Sequence, residues 1–451
     1  MSRDKEQFKK IAVAILIGAL FFTISISIFS VTQATLLGLI AFLVTLWTNE
    51  GLPLGVVSLL PIVLFPSFSI LSTAQTTANY SNPIVFLFFG GFLIAIAVEK
   101  TELHKWITQK MFAIFPSTPK GIIFSLIFTS GILSSLLSNT TTTLLLIPIA
   151  LFITDDIRLK MRFVLSIAYG ASIGGILTPI GTAPNLIMLG LMQNNQMEPI
   201  PFLEWMVMVA PLVFTMFFVV GTLLSIGVKG IEISFESEKR ALLFEQKKVL
   251  LLIGGVVLLL LFNAPFKPYW NGLGLNENII LLGAGLLLFA PPFGILEWMD
   301  DKSKIPFRIM FLFGAGFSIA TAFSVSGLAN ELASYLVSMT HLPPLLIILG
   351  IAALVTFTTE ITSNTALISV MLPIIYAVAQ QSGIDAVLFM MVATVCASYA
   401  FMLPIATPPN AIAMSSGTLS VAQMAKYGIV LNLAGIFLIA MIAEFFWKYY
   451  L

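Results

Sequence analysis

The chain is poor in the residues that soluble chemistry needs. Its 451 residues include one cysteine, Cys396, which excludes an internal disulfide. Two histidines, His104 and His341, are too few for a histidine-built metal centre and read as surface loop residues. Only 10% of the residues are charged, against about 25% in soluble globular domains. That scarcity excludes a soluble enzyme, a nucleic-acid binder and a disordered chain. What is abundant is apolar: 58% of the chain, with Cys396 and 19 methionines as soft filling. A spanning helix needs about 20 apolar residues. The first run, Ile11 to Ser30, has that length, whereas a signal core has about 7–15, so a multi-pass membrane protein is expected.

The 22 basic residues avoid the apolar runs. Nineteen fall in five clusters: Arg3 to Lys10, Lys100 to Lys120, Arg158 to Arg162, Lys229 to Lys248 and Lys302 to Arg308. The connections 66–82, 193–204, 331–343 and 379–386 have no Lys or Arg. Lysine and arginine favour the cytoplasmic side. Threading on that rule gives spans near 11–30, 32–48, 54–72, 84–99, 163–190, 205–228, 249–263, 279–295, 309–330, 387–412 and 427–447. Residues 121–151 have basic clusters at both ends, and 344–378 have none at either. Each must return to the side it left, so both read as re-entrant helical hairpins, lying where protein or a cavity can satisfy broken backbone. The expected fold is all-α and polytopic, with about 11 transmembrane helices plus two re-entrant hairpins. The N-terminus is inside, the C-terminus outside, and 20 of 22 basic residues cytoplasmic. Only Lys267 and Lys448 fall outside. The basic segments 100–118 and 232–248 read as helices lying on the cytoplasmic face.

A repeat runs through the chain. Gly91 and Gly316, Ser138 and Ser363, Pro148 and Pro373, and Asn185 and Asn410 are each 225 residues apart. Four landmarks in one ungapped register predict a duplicated unit. The division is 1–53 as N-terminal spans, 54–225 as the first repeat, 226–278 as linker and connecting span, and 279–451 as the second repeat. The charge map gives the halves opposite orientations. Inverted repeats with broken helices place a transporter's substrate near the midplane. The glycine pairs Gly90-Gly91 and Gly314/Gly316 read as close-packing positions.

Ser138-Asn139-Thr140 and Ser363-Asn364-Thr365 interrupt the two hairpins. Each break ends one half-helix and starts another, whose free N–H groups and partial positive charge favour an anion. Two such tips can grip both ends of a dianion without Lys or Arg. The same oxygens, with carbonyls freed at Gly181–Asn185 and Ala406–Asn410, make a hard-oxygen cage suited to sodium. Prolines in both segments mark helix unwinding. Glu360 is the acid nearest a tip and reads equally as functional or structural.

These residues resemble the divalent anion/sodium symporter family of di- and tricarboxylate and sulfate transporters. The likeness covers nearly the whole chain. It is carried by Leu-Leu-Ser-Asn-Thr-Thr-Thr-Thr at 136–143, Thr-Pro-Ile-Gly-Thr-Ala-Pro-Asn at 178–185, Thr-Glu-Ile-Thr-Ser-Asn-Thr-Ala at 359–366 and Ile-Ala-Thr-Pro-Pro-Asn at 405–410. The resemblance implies a homodimer whose protomers pair a scaffold with a mobile domain moving as an elevator. It implies a first sodium site of Ser134, Ser138, Asn139 and Gly181, and a second of Thr359, Ser363, Asn364 and Ala406. It implies substrate contacts at Ser138, Asn139, Thr140, Thr182, Ser363, Asn364, Thr365, Thr407 and Pro408. Thr141 and Thr182 depart from the commoner Ala and Ser but keep oxygen at the site. The expected activity is sodium-coupled transport of C4-type dicarboxylates such as succinate across the plasma (inner) membrane. A sodium-independent dicarboxylate exchanger and a sulfate carrier are the rivals on this fold, and an anion channel or membrane enzyme lies further off.

Overall fold

The computed structural model describes residues 3–228, 241–264, 270–336 and 342–450. Lys229, Lys239, Arg240, Lys267, His341 and residues 232–240 of the second basic segment lie outside the described residues.

Helices carry the described chain. Arg3–Ser25 and Val31–Asn49 pair antiparallel, joined at Ser30, which caps the second helix in a reciprocal bond with Gln33. Gly18 and Gly38 let them close. A Cβ at either would stand 2.9 Å from the other's carbonyl oxygen. The first helix leaves most of its apolar surface outward, with only 17% of its spanning window buried.

The expected span 54–72 is not one straight helix. It is Leu54–Val57 and Leu60–Ser67, with prolines at 53, 61 and 66. Hydropathy alone counts those residues as apolar. Proline lacks the N–H that continues a helix, so the segment bends instead. Thr73–Tyr80 and Pro83–Lys100 follow as one 28-residue apolar stretch. Seven helices are long and apolar enough to cross a membrane, and six shorter apolar helices accompany them, among the described residues. The shorter ones include Glu277–Leu287, where the span 279–295 is expected, and three of the four hairpin arms. The fourth arm, Asn364–Ser382, is itself long enough to cross and runs past residue 378, where the second hairpin is expected to end. The expected span 309–330 is Phe307–Val325 and Leu328–Leu336, parted at Gly327, whose φ of +71° suits glycine.

The repeat persists in the helix starts. Hairpin arms begin at Pro119 and Pro344 and at Asn139 and Asn364. The restarted helices begin at Ala183 and Pro408. The differences 344 − 119, 364 − 139 and 408 − 183 are all 225. Spans 163–190 and 387–412 are each broken. Ile157–Gly174 runs through a 3-10 turn to Leu177 and restarts as Ala183–Asn194. Ala386–Cys396 restarts as Pro408–Ser415. The breaks therefore run from Thr178 to Thr182 and from Ala397 to Thr407, and each takes in the first two residues of the expected segments Gly181–Asn185 and Ala406–Asn410. Pro184, Pro408 and Pro409 stand in the first turn of the new helices, where their missing N–H costs nothing.

The two halves meet in a large apolar core that holds the hairpins and broken helices. A second core gathers the N-terminal pair against Phe307–Val325 and one side of the Asn364–Ser382 helix. Close-packing glycines serve both. A Cβ at Gly90 would stand 2.2 Å from the Leu281 carbonyl oxygen, and one at Gly314 would stand 2.2 Å from the Tyr80 ring. In the first basic segment, Leu103–Ile114 is helical and buries Leu103, His104, Thr108 and Phe112. His104 is thus a buried helix residue, 3% exposed, and not a surface loop residue. In the second, residues from Phe244 onward open the long apolar helix Phe244–Asn263.

Candidate functional site

Four helix N-termini face one cavity. Ser138 is the N-cap of Asn139–Phe152, and its hydroxyl accepts the Thr141 N–H at 3.1 Å. Ser363 is the N-cap of Asn364–Ser382. Thr182 and Thr407 are the N-caps of the two restarted helices. The cavity holds about 480 Å³ and is lined by residues 138–140, 181–184, 363–365 and 405–409 among others. Among the described residues no Lys, Arg or His lines it, and Glu50 is the one charged lining residue. Partial charges of helix ends and hydroxyl dipoles therefore dominate its field.

All nine residues expected around a substrate line this cavity: Ser138, Asn139, Thr140, Thr182, Ser363, Asn364, Thr365, Thr407 and Pro408. Of those expected around sodium, Gly181 and Ala406 also line it. Ser134 and Thr359 do not. Both are fully buried one layer behind. Each reaches the tip through its asparagine. Ser134 donates to Asn139 Oδ1 at 2.6 Å, and Thr359 donates to Asn364 Oδ1 at 2.6 Å. Thr359 also lies 3.0 Å from the Ala397 carbonyl oxygen.

Backbone oxygen crowds the first tip. A Cβ at Gly175 would stand 2.5 Å from Asn139 Oδ1 and 3.2 Å from the Gly181 carbonyl oxygen. A Cβ at Gly181 would stand 2.3 Å from the Gly175 carbonyl oxygen. Glycine at both positions lets these oxygens converge. The donor set is neutral, oxygen-only and partly backbone, which suits a weakly charged hard cation. No group of three or more His, Cys, Asp or Glu that could hold a metal occurs among the described residues.

The sequence marks Asn185, Asn410 and Glu360 but not what each of them holds. Asn185 donates to the Thr178 carbonyl at 2.9 Å, and Asn410 to the Ala400 and Leu403 carbonyls at 2.9 and 3.0 Å. Both asparagines are fully buried and tie the breaks closed. Thr178 donates its hydroxyl to the Ser135 carbonyl, joining the first break to its hairpin. Glu360 is 4% exposed and does the equivalent for the second. Its carboxylate accepts the N–H groups of Phe401, Met402 and Leu403 at 2.8, 2.9 and 3.0 Å, and the Asn432 amide at 2.7 Å. Four donors settle its ambiguity toward a structural brace. Tyr169, from the first broken helix, donates to the Phe401 carbonyl at 3.0 Å and so crosses between the halves. The repeat offset pairs Ser135 with Glu360, but partners 41 and 72 residues away are invisible in one sequence.

The architecture matches solved membrane transporters. The Alcanivorax borkumensis YdaH transporter superposes with a TM-score of 0.61 over 83% of this chain and 88% of its own, at 14% identity. Neisseria gonorrhoeae MtrF, described among antimetabolite efflux pumps, gives 0.60 over 84% and 85%, also at 14%. At that identity the likeness concerns the fold alone. In sequence, the chain is 30% identical to the sodium-dependent dicarboxylate transporter SdcS of Staphylococcus saprophyticus over 96% of its own length and 91% of the relative's. The SdcS of Staphylococcus aureus strain MSSA476 is also 30% identical, over 96% and 90%. A family model described as citrate transporter matches residues 39–395. By that match, and by relatives alike from end to end, the chain belongs to the citrate transporter family and is a membrane transporter, not an enzyme.

Proposed function

We propose that the chain is a secondary active transporter of C4-type dicarboxylates such as succinate, driven by sodium. The observation that carries this reading is the single cavity faced by four helix N-termini and both Ser-Asn-Thr tips, with no basic lining. A dicarboxylate presents one carboxylate to each tip. The N–H groups of residues at the starts of the hairpin helices, with the hydroxyls of Ser138, Thr140, Ser363 and Thr365, bind and orient it. Pro184, Pro408 and Pro409 withhold N–H donors at the restarted helices, so Thr182 and Thr407 serve there through their hydroxyls.

Sodium completes the site as a co-substrate. The first ion takes Asn139, the Gly181 carbonyl and the hydroxyls of Ser134 and Ser138. The second takes Asn364, the Ala406 carbonyl and the hydroxyls of Thr359 and Ser363. The ions supply the positive charge that the protein omits and couple its affinity for the dianion to the sodium gradient. The name of the relatives, sodium-dependent dicarboxylate transporter, supports this pairing.

Beside the cavity, sharing part of its lining, lies a vestibule of about 990 Å³ with Glu6, Lys10, Glu50 and Arg308 on its walls. Thr140 and Pro408 line both spaces. With the N-terminus cytoplasmic by the placement of basic residues, this is an inward-facing state. Transport then moves the hairpins and broken helices as an elevator against a scaffold that includes the N-terminal pair. The protomer works as a homodimer in the plasma membrane.

Labelled succinate uptake into proteoliposomes tests the proposal. Uptake that requires an inward sodium gradient and no internal substrate is expected. Uptake that requires internal succinate and ignores sodium would make the protein an exchanger instead.

A further inference from the structure

The vestibule contains positive charge, which the site itself lacks among the described residues. Four charged side chains line it: Glu6, Lys10, Glu50 and Arg308. Lys10 is engaged with Glu6 at 4.0 Å, one turn away on the same helix. Arg308 is exposed and makes no ion pair among the described residues. Glu50 is likewise exposed and unpaired, on a residue with φ of +52° at the end of Val31–Asn49. Arg308 is the second residue of Phe307–Val325, and its neighbour Ile309 lines both vestibule and site. The Arg308 Cβ lies 3.4 Å from where a Cβ of Gly55 would stand, so glycine there leaves the stem of the arginine room. One guanidinium outside any ion pair among the described residues therefore stands in the vestibule, beside the passage to a cavity that Glu50 also lines and no basic residue among them does.

We infer that Arg308 is the docking residue for the dicarboxylate at this mouth, a specificity-determining group for one side of the membrane only. The inference rests on the transport reading above. Guanidinium offers a planar fork matched to a carboxylate, and water still screens it, so it holds the anion briefly and does not trap it. A neutral site relies on short-range dipoles, whereas a full charge acts at longer range and raises the local dianion concentration. Glu50, of opposite sign and lining both the vestibule and the cavity, limits dwell at the passage by repulsion and favours sodium. Arg308 sits on a helix outside the hairpins and broken helices. Once those carry the substrate to the far side, it no longer meets the anion.

The test measures succinate KM separately on the two faces, with intact cells for one and inverted membrane vesicles for the other. Wild type, R308Q, R308K and E50Q are compared at low and high ionic strength. R308Q is expected to raise KM on the face bearing the N-terminus by about 3- to 5-fold, the scale of one exposed charge pair. The opposite face should be unchanged, and the difference should shrink with salt. R308K should recover most of the loss, and E50Q should lower KM on the same face. R308Q equal to wild type on both faces, or raising KM equally on both, would overturn the inference while leaving the transport reading intact. Wild type that carries no succinate on either face would overturn both.

Discussion

Ser134 donates its hydroxyl hydrogen to Asn139 Oδ1 across 2.6 Å, and 225 residues later Thr359 does the same for Asn364 at the same distance. A fully buried hydroxyl thus sets the rotamer of each tip asparagine from behind. The pair fixes which face of the amide looks into the cavity. It also leaves the asparagine Oδ1 within reach of the hydroxyl oxygen, a two-oxygen clamp at each tip.

Asn139→Ala and Asn364→Ala should each abolish succinate uptake without unfolding the protein. Both side chains are half-buried at helix starts, so truncation removes site oxygen and leaves the core alone. Uptake and size-exclusion profile, measured together, check this. Full activity in either variant would refute the tip assignment.

Ser134→Ala and Thr359→Val should act on sodium dependence first. The hydroxyls do not line the cavity, so the substrate feels their loss only through the asparagine and the cation. Half-saturating sodium should rise by about 10-fold, the scale of one hydrogen bond to a charged group, with Thr359→Ser nearly silent. An unchanged sodium curve would remove these residues from the cation site.

Gly181→Ala should eliminate transport, because its Cβ would stand 2.3 Å from the Gly175 carbonyl oxygen. Gly254→Ala is the matched control, since a Cβ there meets nothing within 4 Å. In a thermal shift assay the first should lower Tm and the second leave it unmoved. Equal behaviour would show that the crowding at the first tip relaxes freely.

A cysteine at Lys110 should react with a cytoplasmic reagent, and one at Glu198 should not. Both positions are exposed, whereas Ile200 nearby is buried. The native Cys396 is fully buried and gives little background. The reverse pattern would invert the topology.

Asp301 makes a pH-dependent fastening outside the spans. Burial raises its carboxyl pKa, but the Lys100 ammonium at 2.7 Å and the Glu297 N–H outweigh burial and hold it below the ordinary value. A depressed carboxylate stabilises above its unfolded pKa and loses that stabilisation as pH falls through the folded value. D301N should therefore cost about 1–2 kcal/mol at neutral pH, seen as a lower Tm. The gap should close as pH falls below about 4. A gap independent of pH would mean the loop is held by shape alone.

The tips were legible because their chemistry is contiguous: three residues name each one, and the offset repeats them. The broken helices were legible as breaks but displaced, because Pro184 and Pro408 open helices as readily as they end them. The segment 54–72 was misread because hydropathy does not weigh prolines 61 and 66. His104 was misread because amphipathicity marks a face but not what covers it. Asn185 and Asn410 close their breaks on carbonyls seven to ten residues upstream, but Glu360 holds its break through distant partners, and Asn432 is reached only by folding. No local pattern encodes such partners.

The absence of basic side chains from the cavity has an electrical consequence. Helix ends and hydroxyls carry no formal charge, so apart from Glu50 on its lining a loaded site bears only the charge of its passengers. Sodium ions that match the dianion would cross silently under a membrane voltage, and any excess would register as current. The current drawn per succinate would then be a direct count of the ions that accompany it.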